Sequence, residues 1–150
     1  MHRGEYLVHV LNTLVNISND NQQLALSVRS SMSYLAYVKE FQTIKMACGR
    51  RTGHTYALTR FVSRRFPNAA VIAPTDATQS LLRSELEAAG ASRNMVYNVR
   101  KLEASAGMFH TDAVVVDIAS ILTPRNIEEI YDRWKLIAAN SDRFNFIFIG

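Results

Sequence analysis

The chain of 150 residues contains a single cysteine, Cys48, and no long uninterrupted apolar segment. One cysteine excludes an internal disulfide framework and any cysteine-rich zinc site, which suits a reducing compartment. The four histidines are scattered and show no metal-ligand spacing. No apolar run approaches the roughly 20 residues that a membrane-spanning helix requires, and the amino terminus lacks the pattern of a secretory signal. These absences predict a cytoplasmic protein without a membrane partner.

What the chain does contain is the composition of one globular domain. Hydrophobic residues make up 48% of the sequence and charged residues 20%, enough for a sizeable core at this length. We therefore expect one domain over residues 1–150, with a helical region over residues 1–40 and an α/β core over residues 41–150. The net charge of +4 mildly favours a polyanionic partner such as nucleic acid.

The amino-terminal region has helical periodicity. Apolar residues recur at helical spacing over residues 5–17, and the polar run of residues 18–21, Ser-Asn-Asp-Asn, then interrupts the pattern. This predicts a first helix that ends near Ile17 and a second helix over residues 21–39. We expect these two helices to precede the sheet and to cover part of it.

From residue 41 onwards, short apolar strands alternate with amphipathic helices. This pattern predicts an α/β fold with a mostly parallel central sheet of about five strands and helices on both faces. The predicted strands are residues 43–47, 69–73, 113–117 and 144–149, and the predicted helices are residues 53–65, 78–89 and 124–139. Residues 95–99 are compatible with a fifth strand, residues 94–100 with a short helix instead, and residues 105–110 with a further helix.

Residues 46–55 form a basic, glycine-bearing turn that joins an apolar strand to a helix. Such a turn offers free backbone N–H groups and the positive end of a helix dipole to an anion. The P-loop pattern Gly-x-x-x-x-Gly-Lys-Ser/Thr wraps phosphates in its backbone amides, while its lysine contacts the outer phosphates and its hydroxyl binds magnesium. The predicted phosphate-binding residues are Cys48, Gly49, Thr52, Gly53, His54 and Thr55, with Thr55 also a magnesium ligand. The alternative is a glycine-containing turn without a ligand.

His54 stands where the P-loop pattern has lysine, and Cys48 stands at its first glycine. Imidazole is shorter than a lysine side chain and, with a reference pKa of about 6.5, is largely neutral near pH 7. Arg50 or Arg51 could instead bring a permanent positive charge to the phosphates, which makes both of them candidate catalytic residues. Otherwise both arginines belong to a solvated turn.

The run of residues 112–117, Asp-Ala-Val-Val-Val-Asp, is an apolar strand that ends in an acid. Beside a phosphate loop, an aspartate at the carboxyl end of a strand can bind magnesium through water. Asp117 is therefore predicted as a metal-binding and catalytic residue. Residue 118 is isoleucine, which cannot polarise water, whereas many phosphate-loop ATPases have glutamate there. Asp112, Glu128 or Glu129 could replace that glutamate, or could be surface charges.

Three further residues are candidates for nucleic-acid contact. Thr75 lies in the turn after the strand of residues 69–73, where it could contact a nucleic-acid backbone or simply cap the next helix. Arg60 and Arg64, on the helix after the loop, could form a basic stripe for phosphates. A solvated helix face explains these two arginines equally well.

Together, these motifs resemble the ATPase domain of phage terminase large subunits and superfamily 2 helicases. Residues 48–58 resemble the first terminase motif, residues 73–75 motif Ia and residues 114–119 the second motif. Residues 146–150 lie where the strand with the third motif is expected. The resemblance covers residues 40–150 and implies a P-loop motor that uses ATP and Mg²⁺ on double-stranded DNA. It also implies a ring homo-oligomer or a larger viral assembly in the host cytoplasm.

Two residues depart from the terminase and helicase pattern, namely His54 for lysine and Ile118 for glutamate. Positioning and charge stabilisation supply nearly all of the catalysis in phosphoryl transfer, so these departures bear directly on hydrolysis. Two interpretations follow. In the first, the chain is a nucleotide-binding motor domain, either by itself or as a fragment of a larger motor. In the second, it is a non-catalytic accessory protein that binds nucleic acid or a partner protein on the same scaffold.

Overall fold

The computed structural model describes residues 3–47, 54–91, 95–102 and 111–150. Within them it contains five α-helices and five strands, together with two short 3-10 turns, Val99–Lys101 and Ala119–Ile121. The helices are α1 (Arg3–Arg29), α2 (Tyr34–Phe41), α3 (His54–Arg65), α4 (Asp76–Ala88) and α5 (Pro124–Ala139). The strands are β1 (Thr43–Met46), β2 (Ala70–Ala73), β3 (Met95–Asn98), β4 (Ala113–Val116) and β5 (Asn145–Ile149). The predicted α/β class, with two helices before the sheet, is confirmed.

The five strands form one sheet in the order β1-β5-β4-β2-β3, and every neighbouring pair is parallel. The register places Val115 of β4 opposite Ile147 of β5 and Val71 of β2. Because all strands point the same way, their carboxyl ends meet at one edge of the sheet, called the carboxyl edge below. The opposite edge is the amino edge.

Alternate residues of each strand enter two separate apolar cores. In β4, Ala113 and Val115 pack on the side of α1, α3 and α4, while Val114 and Val116 pack on the side of α2 and α5. Coverage of both faces explains why the strands read as continuous apolar runs. The Phe146 ring contacts the Tyr131 ring of α5 at 5.0 Å between centroids, so it packs within the core on that side.

The predicted break at residues 18–21 is wrong, because α1 continues without interruption to Arg29. Ser18 and Gln22 lie one helical turn apart and are buried, and both donate hydrogen bonds to the Asn145 side chain. Their polar groups therefore face a partner inside the protein, although the sequence pattern suggested a solvated turn. The chain breaks instead at residues 30–33, where the Ser33 hydroxyl accepts a hydrogen bond from the Ala36 amide and caps α2.

Side-chain caps define two other helix starts. Thr75 and Thr78 cap α4 reciprocally, so this helix begins at Asp76, two residues before the predicted start. Thr123 caps α5 in the same way, and Pro124 is its first residue, as predicted.

Of the two alternatives for the segment after α4, the structure shows a strand, Met95–Asn98, while residues 105–110 lie outside the described segments. None of the helices in the described part of the chain is long and apolar enough to span a bilayer.

Candidate functional site

The connections after β2 and β4 diverge at the carboxyl edge. After β2 the chain enters α4, which packs on one face of the sheet, and after β4 it enters α5, which packs on the other. Because β2 and β4 are neighbours, their carboxyl ends form a topological switch point of the sheet. In open α/β sheets, ligands bind at such points. The residues that border this point, Asp117 and Thr75, are both among the predicted site residues.

Asp117 directly follows β4 and is only 2% exposed. Its backbone N–H donates to the Ile72 carbonyl at 3.0 Å, which ties this end of β4 to β2. Ionised carboxylates are buried only where cations or hydrogen-bond donors compensate for the lost water. The structure therefore places a buried acid at the carboxyl edge, as the sequence predicted for a metal-binding aspartate.

Ile118, the next residue, has a left-handed backbone with φ of +50°. A β-branched residue rarely adopts this conformation, which costs about 1–3 kcal/mol and is found preferentially at functional sites. Here it turns the chain sharply from β4 into the 3-10 turn Ala119–Ile121. The position that would hold a water-activating glutamate is therefore a tight turn with an apolar side chain.

The three acids considered as replacements for that glutamate lie elsewhere. Asp112 precedes β4 and thus lies at the amino edge, at the opposite end of the strand from Asp117. The Glu128 carboxylate accepts a hydrogen bond from Lys39 at 2.9 Å. The Glu129 carboxylate lies 3.5 Å from the Arg125 guanidinium within α5. The geometry excludes Asp112 from the site and gives both glutamates surface ion pairs.

The predicted phosphate loop begins at the end of β1 and leads into α3. Since β1 and β2 are parallel and α3 connects them, α3 must begin at the carboxyl edge and return to the amino edge. His54 is its first residue, and Thr55, the second, is half-buried. The predicted residues Cys48, Gly49, Arg50, Arg51, Thr52 and Gly53 lie outside the described segments. A helix amino terminus therefore follows β1 where the sequence predicts it.

The sheet order sets the distance between the two halves of the candidate site. Strand β5 lies between β1 and β4, so the backbones of β1 and β4 are separated by two strand spacings, about 10 Å. A phosphate group with a hydrated cation fits such a gap. Mg²⁺ usually retains several waters and takes only one or two protein carboxylates, so Asp117 with the Thr55 hydroxyl is a suitable donor set.

The Thr75 hydroxyl is occupied by the α4 cap, because it accepts a hydrogen bond from the Thr78 amide at 3.2 Å. Beside it, the Asp76 carboxylate accepts a hydrogen bond from Asn98 at 2.6 Å and lies 3.3 Å from the Lys101 ammonium. The cap interpretation of Thr75 is thus confirmed, and its contact with nucleic acid stays a prediction. Sequence patterns missed the group of Asp76, Asn98 and Lys101 because it combines the ends of two different strands.

Arg60 and Arg64 face the start of α1. The Arg64 guanidinium lies 3.9 Å from the Glu5 carboxylate, and the Arg60 guanidinium stacks over the Tyr56 ring at 4.9 Å. The Tyr56 hydroxyl donates to Glu5 at 2.9 Å, and this hydrogen bond, with the nearby arginines, lowers the pKa of Glu5. Both arginines therefore help to join α3 to α1, and their contact with nucleic acid stays a prediction.

An open cavity of about 350 Å³ lies beside the end of β1. Its lining combines residues of β1, β5, α5 and the 3-10 turn, and is mostly apolar: Lys45, Met46, Ala47, Ala119, Ser120, Ile127, Phe148 and Gly150. This volume is at the lower end of the range for small-molecule sites. No sequence pattern indicated this cavity, because its walls come from four separate elements.

Comparison of the chain with known protein families, with curated proteins and with solved structures finds no match. In the described part of the chain, no group of three or more His, Cys, Asp or Glu side chains is arranged to hold a metal ion. A magnesium ion brought by a nucleotide would not need such a group. Function is therefore inferred from the geometry of the carboxyl edge.

Proposed function

We propose that this chain is a nucleotide-binding domain of the ATPase motor type. Residues 48–55 would hold the phosphates of ATP, and Thr55 and Asp117 would hold Mg²⁺. The supporting observation is that the amino terminus of α3 and the buried Asp117 share the carboxyl edge of an all-parallel sheet. A helix amino terminus favours an anion, and a buried carboxylate favours a cation.

The charges around the phosphates would come from this chain and from the metal. Bound Mg²⁺ would neutralise part of the charge that develops on the phosphates. Arg50 or Arg51 would supply the permanent positive charge that His54 lacks near neutral pH. Lys45 adds an exposed ammonium group at the rim of the apolar cavity. That cavity, next to the start of the loop, is large enough to accept the nucleobase.

The proposed partner is nucleic acid, with double-stranded DNA as the first choice, within a ring or larger viral motor assembly in the cytoplasm. The net charge of +4 and pI of 9.5 support a polyanionic partner. The proposed contacts with the nucleic-acid backbone are Arg60, Arg64 and the turn at Thr75. Contacts with the phosphates and sugars would give affinity without sequence preference.

The second candidate is a non-catalytic protein on the same scaffold, which binds nucleic acid or a partner protein. It is favoured by Ile118, whose apolar side chain and constrained backbone occupy the position of a water-activating group. The two candidates differ in hydrolysis. Phosphate release that is stimulated by double-stranded DNA and lost in Asp117→Asn would exclude the non-catalytic protein.

Titration calorimetry with ATP, with and without Mg²⁺, tests nucleotide binding. We expect Asp117→Asn to weaken binding of magnesium ATP by about 10-fold or more, a loss of about 1.4 kcal/mol. It should not weaken binding of ATP alone, because the substitution removes a negative charge from an anion site. Thr55→Ala should behave in the same way.

Asp112→Asn is the matched control, since Asp112 flanks the other end of the same strand. This variant should bind magnesium ATP as the wild type does. Absence of binding by the wild-type chain at millimolar magnesium ATP would refute the proposed function. An equal effect of Asp112→Asn and Asp117→Asn would refute the assignment of Asp117.

A further inference from the structure

The side of α1 that faces away from the sheet carries a line of exposed apolar residues. Five apolar side chains of α1 are each more than two-fifths exposed, and Leu24 reaches 80%. They are Tyr6, Val10, Ile17, Leu24 and Val28. At 3.6 residues per turn, these five side chains fall within about 40° of the helix circumference and extend for about 33 Å. We call them the α1 stripe. Exposed apolar residues that are aligned along one side of a helix can mark an interaction site.

The same side of α1 is almost free of charge. Between Tyr6 and Val28, Asp20 is the only Asp, Glu, Lys or Arg residue. A solvent-facing helix surface normally carries many charged residues, whereas the centres of protein interfaces are depleted of them. The opposite side of α1 is already used, because Leu11 and Val15 are fully buried against the sheet. None of the residues that the structure describes covers the α1 stripe, so it is available to a partner.

The α1 stripe is symmetric about Ile17. Val10 and Leu24 lie seven residues before and after it, and Tyr6 and Val28 lie eleven residues before and after it. An interface with two-fold symmetry requires such a self-complementary surface, in which residue i meets residue j and j meets i. We propose that two copies of this chain pair through α1 in antiparallel orientation, with the two-fold axis at Ile17. Ile17 then meets its own copy, and Val10 meets Leu24.

Charge and hydrogen bonding favour the antiparallel pair over a parallel pair and over an anionic membrane surface. In a parallel pair the two Asp20 carboxylates would lie side by side, whereas the antiparallel pair separates them by about 9 Å along the axis. Thr13 and Asn21 lie four residues before and after Ile17, so each would meet the other across the two-fold axis, and both side chains can donate and accept hydrogen bonds. An anionic membrane surface fits poorly, because amphipathic helices that bind one carry lysine and arginine on the polar face.

Analytical ultracentrifugation of the full chain tests the pairing. The wild type should sediment at twice its chain mass of 16.9 kDa. Ile17→Glu and Ile17→Lys should each be monomeric, because each places two like charges on the two-fold axis. An equimolar mixture of the two variants should recover the dimer, since opposite charges then meet. Leu136→Glu, at an exposed position on α5, is the control and should remain dimeric.

Cysteine cross-linking tests the orientation in a Cys48→Ser background. A mixture of Val10→Cys and Leu24→Cys chains should form a disulfide-linked pair, while either chain alone should not. Cross-linking of Val10→Cys with itself would overturn the antiparallel arrangement.

Two results would overturn the pairing itself. One is a wild type that is monomeric at high micromolar concentration, and the other is a mixture of the Ile17 variants that stays monomeric. Flotation of a monomer with neutral phosphatidylcholine vesicles would assign the stripe to a membrane surface instead. None of these outcomes depends on nucleotide binding.

Discussion

Glu5 connects three side chains at the junction of α1 and α3. Its carboxylate accepts a hydrogen bond from Tyr56, lies 3.9 Å from Arg64 and is near Arg60. The Tyr56 hydrogen bond is the largest cause of the lowered pKa of Glu5, and burial, the second-largest effect, opposes it. The attraction of Arg64 and then of Arg60 lowers the pKa further. The same hydrogen bond raises the pKa of Tyr56. Protonation of Glu5 should therefore loosen the contact between the two helices.

This pKa shift predicts part of the acid sensitivity of the fold. A carboxyl group whose pKa is lower in the folded state contributes stability that is fully present above its unfolded pKa of 4.5 and is lost as the pH falls through the lower folded value. We expect Glu5→Gln to show a shallower loss of stability than the wild type below pH 4.5. Urea midpoints measured from about pH 6 to about pH 3 would show the difference.

Glu87→Gln is a matched control for this measurement. Glu87 is exposed on α4 and forms no ion pair with any residue in the described segments. Its variant should follow the wild-type pH dependence. Parallel curves for the wild type and Glu5→Gln would contradict the assigned role of Glu5.

At the scale of elements, α1 shows how distant contacts decide a helix boundary. Gln22 donates hydrogen bonds to the Phe144 carbonyl at 2.9 Å and to the Asn145 side chain at 3.2 Å. Near the end of α1, the Arg29 guanidinium donates to the Ala138 carbonyl at 2.9 Å. Arg29 thereby satisfies a carbonyl in the last turn of α5, where cations are favoured. These contacts hold the second half of α1 against the amino edge and the end of α5.

Asn145 is the centre of this polar group, because it accepts hydrogen bonds from Ser18 and Gln22 and donates one to Asn19. Asn145→Ala would remove these three hydrogen bonds from a buried polar group, so we expect a loss of about 2–4 kcal/mol in the free energy of unfolding. Urea denaturation followed by circular dichroism measures it.

Asn68→Ala, at an exposed position before β2, is the control and should change the free energy of unfolding by less than about 0.5 kcal/mol. A similarly small change for Asn145→Ala would mean that water replaces the lost hydrogen bonds, and that the polar group does not determine the length of α1.

At the scale of the whole molecule, both faces of the sheet are covered by helices that are distant in sequence. The only tryptophan, Trp134, is fully buried on the face covered by α2 and α5. The other face is covered by α1, α3 and α4. Fluorescence of Trp134 therefore reports on one core, whereas circular dichroism reports on all helices, including α1.

Because one sheet joins the two cores, we expect residues 1–150 to unfold as a single cooperative domain. Urea transitions followed by Trp134 fluorescence and by far-ultraviolet circular dichroism should coincide, with an m-value of about 1–3 kcal/mol/M. A circular dichroism transition that precedes the fluorescence transition would show that the amino-terminal helices unfold separately. That result would contradict the predicted single domain.

Sequence reasoning succeeded where a local pattern carries the information. The apolar runs at β2, β4 and β5 predicted strands in a sheet covered on both faces, and the predicted helix over residues 124–139 matches α5. Sequence reasoning failed at residues 18–21, because a run of polar residues matches the pattern of a turn unless a partner in β5 is known. Hydrophobic periodicity reports whether a side chain avoids water, but it does not identify the partner of a polar one.

The sequence by itself determined the α/β class, the alternation of strands and helices, and the acid that follows β4, because each depends on neighbouring residues. Only the tertiary structure decided the strand order, the separation of Asp112 and Asp117 to opposite edges of the sheet, and the unbroken length of α1. The physical reason is that these features depend on contacts between distant segments, such as the hydrogen bond of Ser18 with Asn145. The symmetry of the α1 stripe is present in the sequence, but only the fold shows that this side of the helix is exposed.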